Sequence, residues 1–474
     1  MQSLRSDAAW TAIDTVISSG LGLLFRLAVA RVLAPDQFGI VAIALAFISI
    51  LTAVNNFGLT AALIQRDREK LSPSLINSCF TASCIISGAL CLLTIGGLAP
   101  FLSWYYQNPT ISALTSALAI TLIGAPFATV SSALLSRERR FRDLAIIRVA
   151  SSGISILVAA LYLWMSADVW VIAVQLWVAQ LVSTVGLTIA ARWKFRLNLD
   201  KSHIGELFGY STLVCINDIV GTLTANVGTL IIGRIFTPSE AAIYGLAVNL
   251  TETVRRVIMS VLNRVMFVHY SINKHDNHAL RTGYVRTLTW NCRVIFPIMT
   301  ACIFFSDAIV NVLLGPEWKD MESVMQILAV SIMIQTAGGT TSTLYKAIGK
   351  PGLDTSLSIL TNLLLLLPAI VAGSYWAGLE GAAAATAATK LIAILLRQVL
   401  LDRLIGATLV AVCKTVLAAL AAQLPIVAAF GLKYALMPDA DPVASIGFLA
   451  MGLIGTGLIE VWRIRASDPP NLLK

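Results

Sequence analysis

Charge is what this chain has least of. Asp, Glu, Lys and Arg make up 12% of its 474 residues, against 57% hydrophobic ones. The charged residues never gather into a polar stretch long enough to fold in water, and a soluble chain of this balance would expose apolar surface it could not cover. The sequence also lacks a GxxxxGK[ST] phosphate loop, which excludes P-loop nucleotide hydrolysis as its energy source. None of its seven cysteines (79, 84, 91, 215, 292, 302 and 413) stands in a CxxC pair, so they read as small apolar packing residues rather than metal or disulfide ligands. Of the four histidines, His275 and His278 have a metal-like spacing, but their Asn and Asp neighbours describe a solvated turn. No cofactor and no metal are expected. No Ser/His/Asp or paired-carboxylate arrangement is placed for catalysis at a membrane face, so the chain is not read as an enzyme.

What is present is apolar length. The mean hydropathy is +0.81, and about 14 runs of roughly 20 apolar residues are each long enough to cross a hydrocarbon core as a helix. Backbone groups in lipid must satisfy one another, so the runs are helices. The expected spans are 11–33, 38–64, 75–102, 110–135, 144–165, 168–190, 207–236, 241–270, 288–314, 321–348, 354–374, 378–400, 408–434 and 442–462. The start, MQSLRSDAAW, runs into the first span without an Ala-x-Ala cleavage pattern, which predicts that Met1 begins the mature chain.

Every second loop is basic: Arg66 to Lys70, Arg137 to Arg142, Arg192 to Lys201, Lys274 to Arg286, Lys346 and Lys350, Arg403, and Arg463 to Lys474. The alternate loops hold few bases beyond Lys319 and Lys433, and carry Asp36, Asp168, Glu240, Glu317, Asp320, Asp439 and Asp441. This alternation predicts a multi-pass membrane protein with both termini in the cytoplasm. It also accounts for the net charge of +9 through orientation and anionic-lipid attraction, so a nucleic-acid partner is not expected.

The chain repeats itself. Arg31-Val-Leu-Ala-Pro35-Asp-Gln-Phe38-Gly-Ile joins the first two spans, and Arg234-Ile-Phe-Thr-Pro238-Ser-Glu-Ala-Ala-Ile joins the seventh and eighth with Arg and Pro in the same register. Six spans per repeat is an even number, so both halves enter the membrane in the same direction, as in parallel-repeat transporters. The expected fold is an all-α polytopic membrane protein with two pseudo-symmetric six-helix lobes, 1–190 and 207–403. An amphipathic cytoplasmic linker, 191–206, separates them, and 404–474 adds a helix pair and tail.

Ionisable groups inside spans mark function by default, and here they cluster on the first two spans of each repeat. Asp14, Ser18, Gly22 and Arg26 share one face of the first span; Ser49, Thr52, Asn56 and Thr60 share one face of the second. The seventh carries Asp218, Thr222, Asn226, Thr229 and Gly233; the eighth carries Asn249, Glu252, Arg256, Ser260 and Asn263, with Arg255 beside them. Such stripes suit either helix packing or a hydrophilic cavity between the lobes. Two arginines per acid favour the cavity, and the planar guanidinium fork matches phosphate oxygens. The candidate substrate-binding residues are therefore Arg26, Asn56, Asp218, Asn226, Asn249, Glu252, Arg255 and Arg256.

Four ordered motifs carry a resemblance. They are Arg31-Val-Leu-Ala-Pro35-Asp-Gln-Phe-Gly39, Phe57-Gly-Leu-Thr-Ala-Ala-Leu-Ile-Gln65-Arg66, Leu134-Leu-Ser-Arg-Glu-Arg-Arg-Phe141-Arg-Asp-Leu144 and Leu314-Gly-Pro-Glu-Trp318. In these the chain resembles the polysaccharide transporter family, the O-antigen and exopolysaccharide flippases of the MOP exporter superfamily, over residues 1–400. The resemblance implies two six-helix lobes in a V with two extra helices. It also implies export of undecaprenyl-pyrophosphate-linked oligosaccharide repeat units from the cytoplasmic to the periplasmic leaflet. In such flippases a cationic cavity accepts the pyrophosphate, and Arg26, Glu252, Arg255 and Arg256 occupy matching places. The implied partners are the lipid-linked oligosaccharide, membrane lipid, and polysaccharide polymerase and chain-length proteins. One departure is Phe267-Val-His-Tyr270, where the family often has a Pro. The alternatives are a cation-coupled multidrug exporter of the same superfamily and a peptidoglycan lipid-precursor flippase. A membrane glycosyltransferase would need a large outer loop that this chain does not have.

Overall fold

The computed structural model describes residues 2–56, 72–198, 200–406, 408–437 and 441–467, and every regular element among them is a helix. Two compact units divide the chain, Met1–Ala242 and Ile243–Lys474.

The first unit holds α1 (Gln2–Val32), α2 (Pro35–Asn56), α3 (Pro73–Tyr106), α4 (Pro109–Arg137), α5 (Phe141–Met165), α6 (Trp170–Ala191) and α7 (Lys201–Ile235). The seventh span thus packs with the first six. The lobe boundary drawn from the sequence repeat, at 191–206, and the packing boundary, inside the first turn of α8, mark different things. One divides the repeats and the other the cores.

The second unit holds α8 (Pro238–Ile272), which begins at the boundary, and α9 (Asn277–Phe304). After them come α10 (Met321–Ala347), α11 (351–376), α12 (379–405), α13 (Leu409–Leu436) and α14 (Pro442–Ser467). Eleven helices among the described residues are long and apolar enough to cross a membrane, one of them 55 residues long. That long helix contains a break at Ala377 and Gly378, where φ turns to +60°, so it supplies two spans. Adding the more polar α7 and α8, each 35 residues, brings the number to fourteen. A multi-pass helical membrane protein follows directly.

Proline and glycine set the joints. Pro35 and Pro238 each open a helix after a two-residue turn, where a missing N–H costs nothing. Before α8, Thr237 Oγ1 accepts from the Glu240 amide (3.3 Å), and the Thr237 amide donates to Glu240 Oε2 (2.9 Å), a reciprocal cap. The two repeated turns also touch, because Gly39 lies flat against the Pro238 carbonyl. Between α11 and α12, Gly373 and Gly381 press backbone to backbone.

In each unit large aromatic side chains stand at helix ends. Trp104 ends α3, Trp164 ends α5, Tyr375 and Trp376 end α11, and Tyr434 lies near the end of α13, all strongly exposed. These are the ends opposite the basic loops, where amphipathic rings sit at a lipid–water interface.

Three expectations are revised. The ninth span begins at Asn277 rather than 288, because Asp276 accepts from the His278 and Ala279 amides and caps a polar but helical first turn. It ends at Phe304, and Ser306–Leu313 is a separate short helix. The linker is not one amphipathic segment: Arg192 turns left-handed, residues 193–198 and 200 are in no helix, and α7 already begins at Lys201. Trp193 packs edge-on and Phe195 tilted against Phe80, at 5.2 and 5.9 Å between ring centroids, while Ser78 Oγ and Thr81 Oγ1 accept from the Asp200 and Asn198 amides. The alternation of Arg192, Lys194 and Arg196 with Trp193, Phe195 and Leu197 has the period of an extended chain.

The cysteines are free; Cys79, Cys91, Cys215 and Cys292 are buried, and Cys413 is exposed. The basic loop Arg66 to Lys70, the motif Phe57–Arg66, and the side chains of Ile204 and Arg264 lie outside the described residues.

Candidate functional site

Each unit encloses its own polar cavity among membrane-spanning helices. In the first unit it measures about 1050 Å³ and opens among α1, α2, α4, α5, α6 and α7. Three of the sequence-derived candidates, Arg26, Asn56 and Asp218, line it. The stripe on α1 lines it as well, and its carboxylate has a partner that periodicity did not reveal. Arg148 Nη1 on α5 lies 3.1 Å from Asp14 Oδ2, and Ser18 Oγ donates to Asp14 Oδ1 at 3.2 Å. Asp14 is only 6% exposed, so the pair neutralises a charge that lipid or packed protein would penalise heavily. Among the charged residues lining this cavity, Arg26 and Arg148 equal Asp14 and Asp218 in number.

On α7 and α8 the stripe amides are held by their own helices. Asn226 Nδ2 donates to the Thr222 carbonyl and Asn249 Nδ2 to the Gly245 carbonyl, each at 2.8 Å along its own helix. Arg256 is exposed and donates to Thr253 Oγ1 (3.1 Å). Arg255 turns the other way: its Nε donates to Glu252 Oε2 (2.9 Å), while Lys390 Nζ on α12 donates to Glu252 Oε1 (3.0 Å). Glu252 therefore bonds at i+3, to Arg255, and across to α12.

Lys390 completes this group, and the helical spacing on α8 does not reveal it. Its signal was present, a lone lysine in an otherwise apolar span, four residues after Thr386 and seven before Arg397. Arg148 stood out on α5 in the same way.

The second unit's cavity, about 340 Å³, lies beside a break in α10. The helix stops at Ala337 and resumes at Thr341, with Gly339 at φ +52°, a conformation glycine adopts freely. Hydroxyls stitch the break. Tyr284 Oη donates to the Gly338 carbonyl (3.0 Å), Tyr270 Oη and Thr340 Oγ1 are 2.6 Å apart, and Thr343 Oγ1 donates to Asn263 Oδ1 (2.8 Å). Non-helical backbone at membrane depth is tolerated where protein or a water-filled cavity surrounds it. Arg255, Lys346 and Arg397 line this cavity.

One consequence can be measured in the first unit. Arg148→Gln strands the Asp14 carboxylate and is expected to cost about 1–3 kcal/mol. Adding Asp14→Asn should recover most of that loss, because the uncompensated charge goes with it. Thermal unfolding in detergent reads both variants; equal melting of the single and double variants would show that the pair carries no coupling.

Comparison with known proteins agrees with the resemblance. The family profile for polysaccharide biosynthesis proteins matches residues 28–323. The lipopolysaccharide biosynthesis protein WzxC of Escherichia coli is 23% identical over 382 residues, 79% of this chain and 76% of that protein. The succinoglycan biosynthesis transport protein ExoT of Rhizobium meliloti is 23% identical over 352 residues, 74% and 70% of the two chains. Among solved structures, the lipid II flippase MurJ in an inward closed conformation superimposes with a TM-score of 0.77 at 14% identity, covering 96% of this chain and 98% of its own. An inward-facing MATE multidrug transporter gives a TM-score of 0.63 at 15% identity, covering 86% and 96%. With its spanning helices and the match over residues 28–323, this chain belongs to the polysaccharide biosynthesis protein family.

Proposed function

We propose that the protein is a flippase that moves undecaprenyl-pyrophosphate-linked oligosaccharide repeat units from the cytoplasmic to the periplasmic leaflet of the bacterial inner membrane. It does so by alternating access, it catalyses no covalent step, and it feeds surface or exopolysaccharide synthesis. The observation that carries this reading is a cavity among the spanning helices lined by Arg255, Lys346 and Arg397 in a chain of the polysaccharide family. A guanidinium fork matches phosphate oxygens and repels organic cations, which tells against a drug exporter. The polar first cavity, with Asn56, Ser49 and Gln180 on its walls, supplies donors and acceptors for sugar hydroxyls. The names of two relatives, a lipopolysaccharide biosynthesis protein and a succinoglycan transport protein, support a glycan cargo. On this reading both termini are cytoplasmic, which the alternation of basic loops supports. Polymerase and chain-length proteins are the partners this role calls for.

Deletion of the gene tests the proposal. Lipid-linked oligosaccharide should accumulate in the inner leaflet while surface polymer disappears, and re-expression should restore both. Unchanged surface polymer and no trapped intermediate in the deletion strain would refute the assignment.

A further inference from the structure

By the sequence repeat α7 opens the second half of the chain, yet it packs within the first unit. It does so by one end only. Val227, Thr229, Ile232 and Gly233 are buried, whereas none of the described side chains from Ile216 to Asn226 is. Asp218, Gly221 and Thr222, in that loose stretch, line the first cavity. The cavity wall on α7 ends at Thr222, eight residues or about 12 Å short of Leu230. Beyond it the helix is gripped.

The grip comes from the last turn of α3, which Gln107 ends in a left-handed conformation. Tyr106 Oη donates to the Leu230 carbonyl (3.0 Å). One turn further along α7, the Arg234 guanidinium lies 4.9 Å from the centre of the Tyr105 ring. Each tyrosine is itself held: Tyr105 stacks on Phe101, and Tyr106 sits edge-on to Phe47 of α2.

Both contacts separate without harm to α7. A carbonyl has two lone pairs, so the Leu230 oxygen keeps its place in the helical ladder when the hydroxyl leaves. Arg234 is exposed, at a helix end where water or lipid head groups take over its charge. The neighbouring approach of Gly39 to Pro238 brings no side-chain hydrogen bond with it. The inner end of α7 is different. It follows the strap whose Asn198 and Asp200 amides are bonded to Thr81 and Ser78 of α3. A helix fixed at one end and held at the other by separable contacts is suited to two discrete positions.

We propose that Tyr105 and Tyr106 form an outer latch on α7. Closed, the latch holds α7 over the first cavity; released, it lets α7 swing about its strapped inner end and open that cavity to the face opposite the basic loops. The latch rests on the alternating-access reading and not on the identity of the cargo.

Cysteine accessibility in the full-length protein tests this. The seven native cysteines are replaced by alanine, and Gly221→Cys is the reporter, since nothing lies within 4 Å of a Cβ there. A membrane-impermeant methanethiosulfonate reaches one face in spheroplasts and the other in inverted vesicles. Tyr106→Phe, which keeps the ring on Phe47, should raise labelling from the face opposite the basic loops about fivefold, the scale of one neutral hydrogen bond. Arg234→Gln should raise it about threefold. Tyr105→Phe, which keeps a ring under the guanidinium, should leave it unchanged. Labelling from the basic-loop face should fall as the other rises, which separates a latch from loosened packing. Unchanged labelling from the outer face when Tyr106→Phe and Arg234→Gln are combined, or a rise from both faces, overturns the latch. The readout needs no cargo, so its failure leaves the glycan assignment standing, and an unchanged deletion strain leaves the latch standing.

Discussion

Gly39→Ala should abolish accumulation of the folded protein. A Cβ at position 39 would stand 1.8 Å from the Pro238 carbonyl oxygen and 2.3 Å from its carbon. Both atoms are backbone, so no rotamer change relieves the overlap; α2 and the α7–α8 turn must separate. Overpacking a core typically costs about 1–3 kcal/mol, and a backbone-on-backbone clash belongs at or above the top of that range. Gly233 makes the same helices harder to move, since it already sits against Ile43 and Ala241. Gly20→Ala on α1 is the matched control, for nothing lies within 4 Å of a Cβ there. Fluorescence-detected size exclusion compares the two. A monodisperse Gly39→Ala protein with the melting temperature of Gly20→Ala would show that the close approach is not what holds the turn.

The second large effect is at Glu252. Glu252→Ala leaves Arg255 and Lys390, each about one-fifth exposed, facing one another with no anion. Breaking a buried pair from one side costs about 3–5 kcal/mol, whereas replacing the whole set with apolar residues is often neutral. Lys390→Met added to Glu252→Ala should therefore recover much of the lost stability, leaving one cation instead of two. Failure of the double variant to melt higher than Glu252→Ala would mean that the cost lies in packing rather than charge. Export in vivo need not follow stability here, because Lys390→Met also removes a cation from within the spanning helices.

The architecture was largely written in local pattern. Apolar length marks each span, Pro35 and Pro238 mark two starts, and the break at Ala377 and Gly378 falls where the sequence separates its eleventh and twelfth spans. Alternating basic loops supply the direction. Hydropathy alone starts α9 late, because Asp276 caps a polar helical turn ahead of the apolar run. The interruption of α10 at Gly338-Gly339 was also visible but was absorbed into an apolar run.

The sites were legible only in part, and the reason is distance along the chain. A helical face can be read from residues three and four apart, which found Asp14, Arg26 and Glu252. It cannot say that Asp14 meets Arg148, 134 positions away, or that Glu252 meets Lys390, 138 positions away. Nor does it decide between adjacent arginines. Arg255 turns into the second cavity while Arg256 is exposed, a choice made by the carboxylate and lysine that surround the first.

The strap that joins α6 to α7 has a mechanical consequence. Its aromatic rings are docked on Phe80, and its amides at Asn198 and Asp200 are fastened to α3, so no slack is left before Lys201. A span that begins this close to its last anchor cannot wander like a tethered float. Extra residues placed ahead of Trp193 can bulge outward at small entropic expense, whereas shortening the strap by even one residue shifts each ring out of its slot.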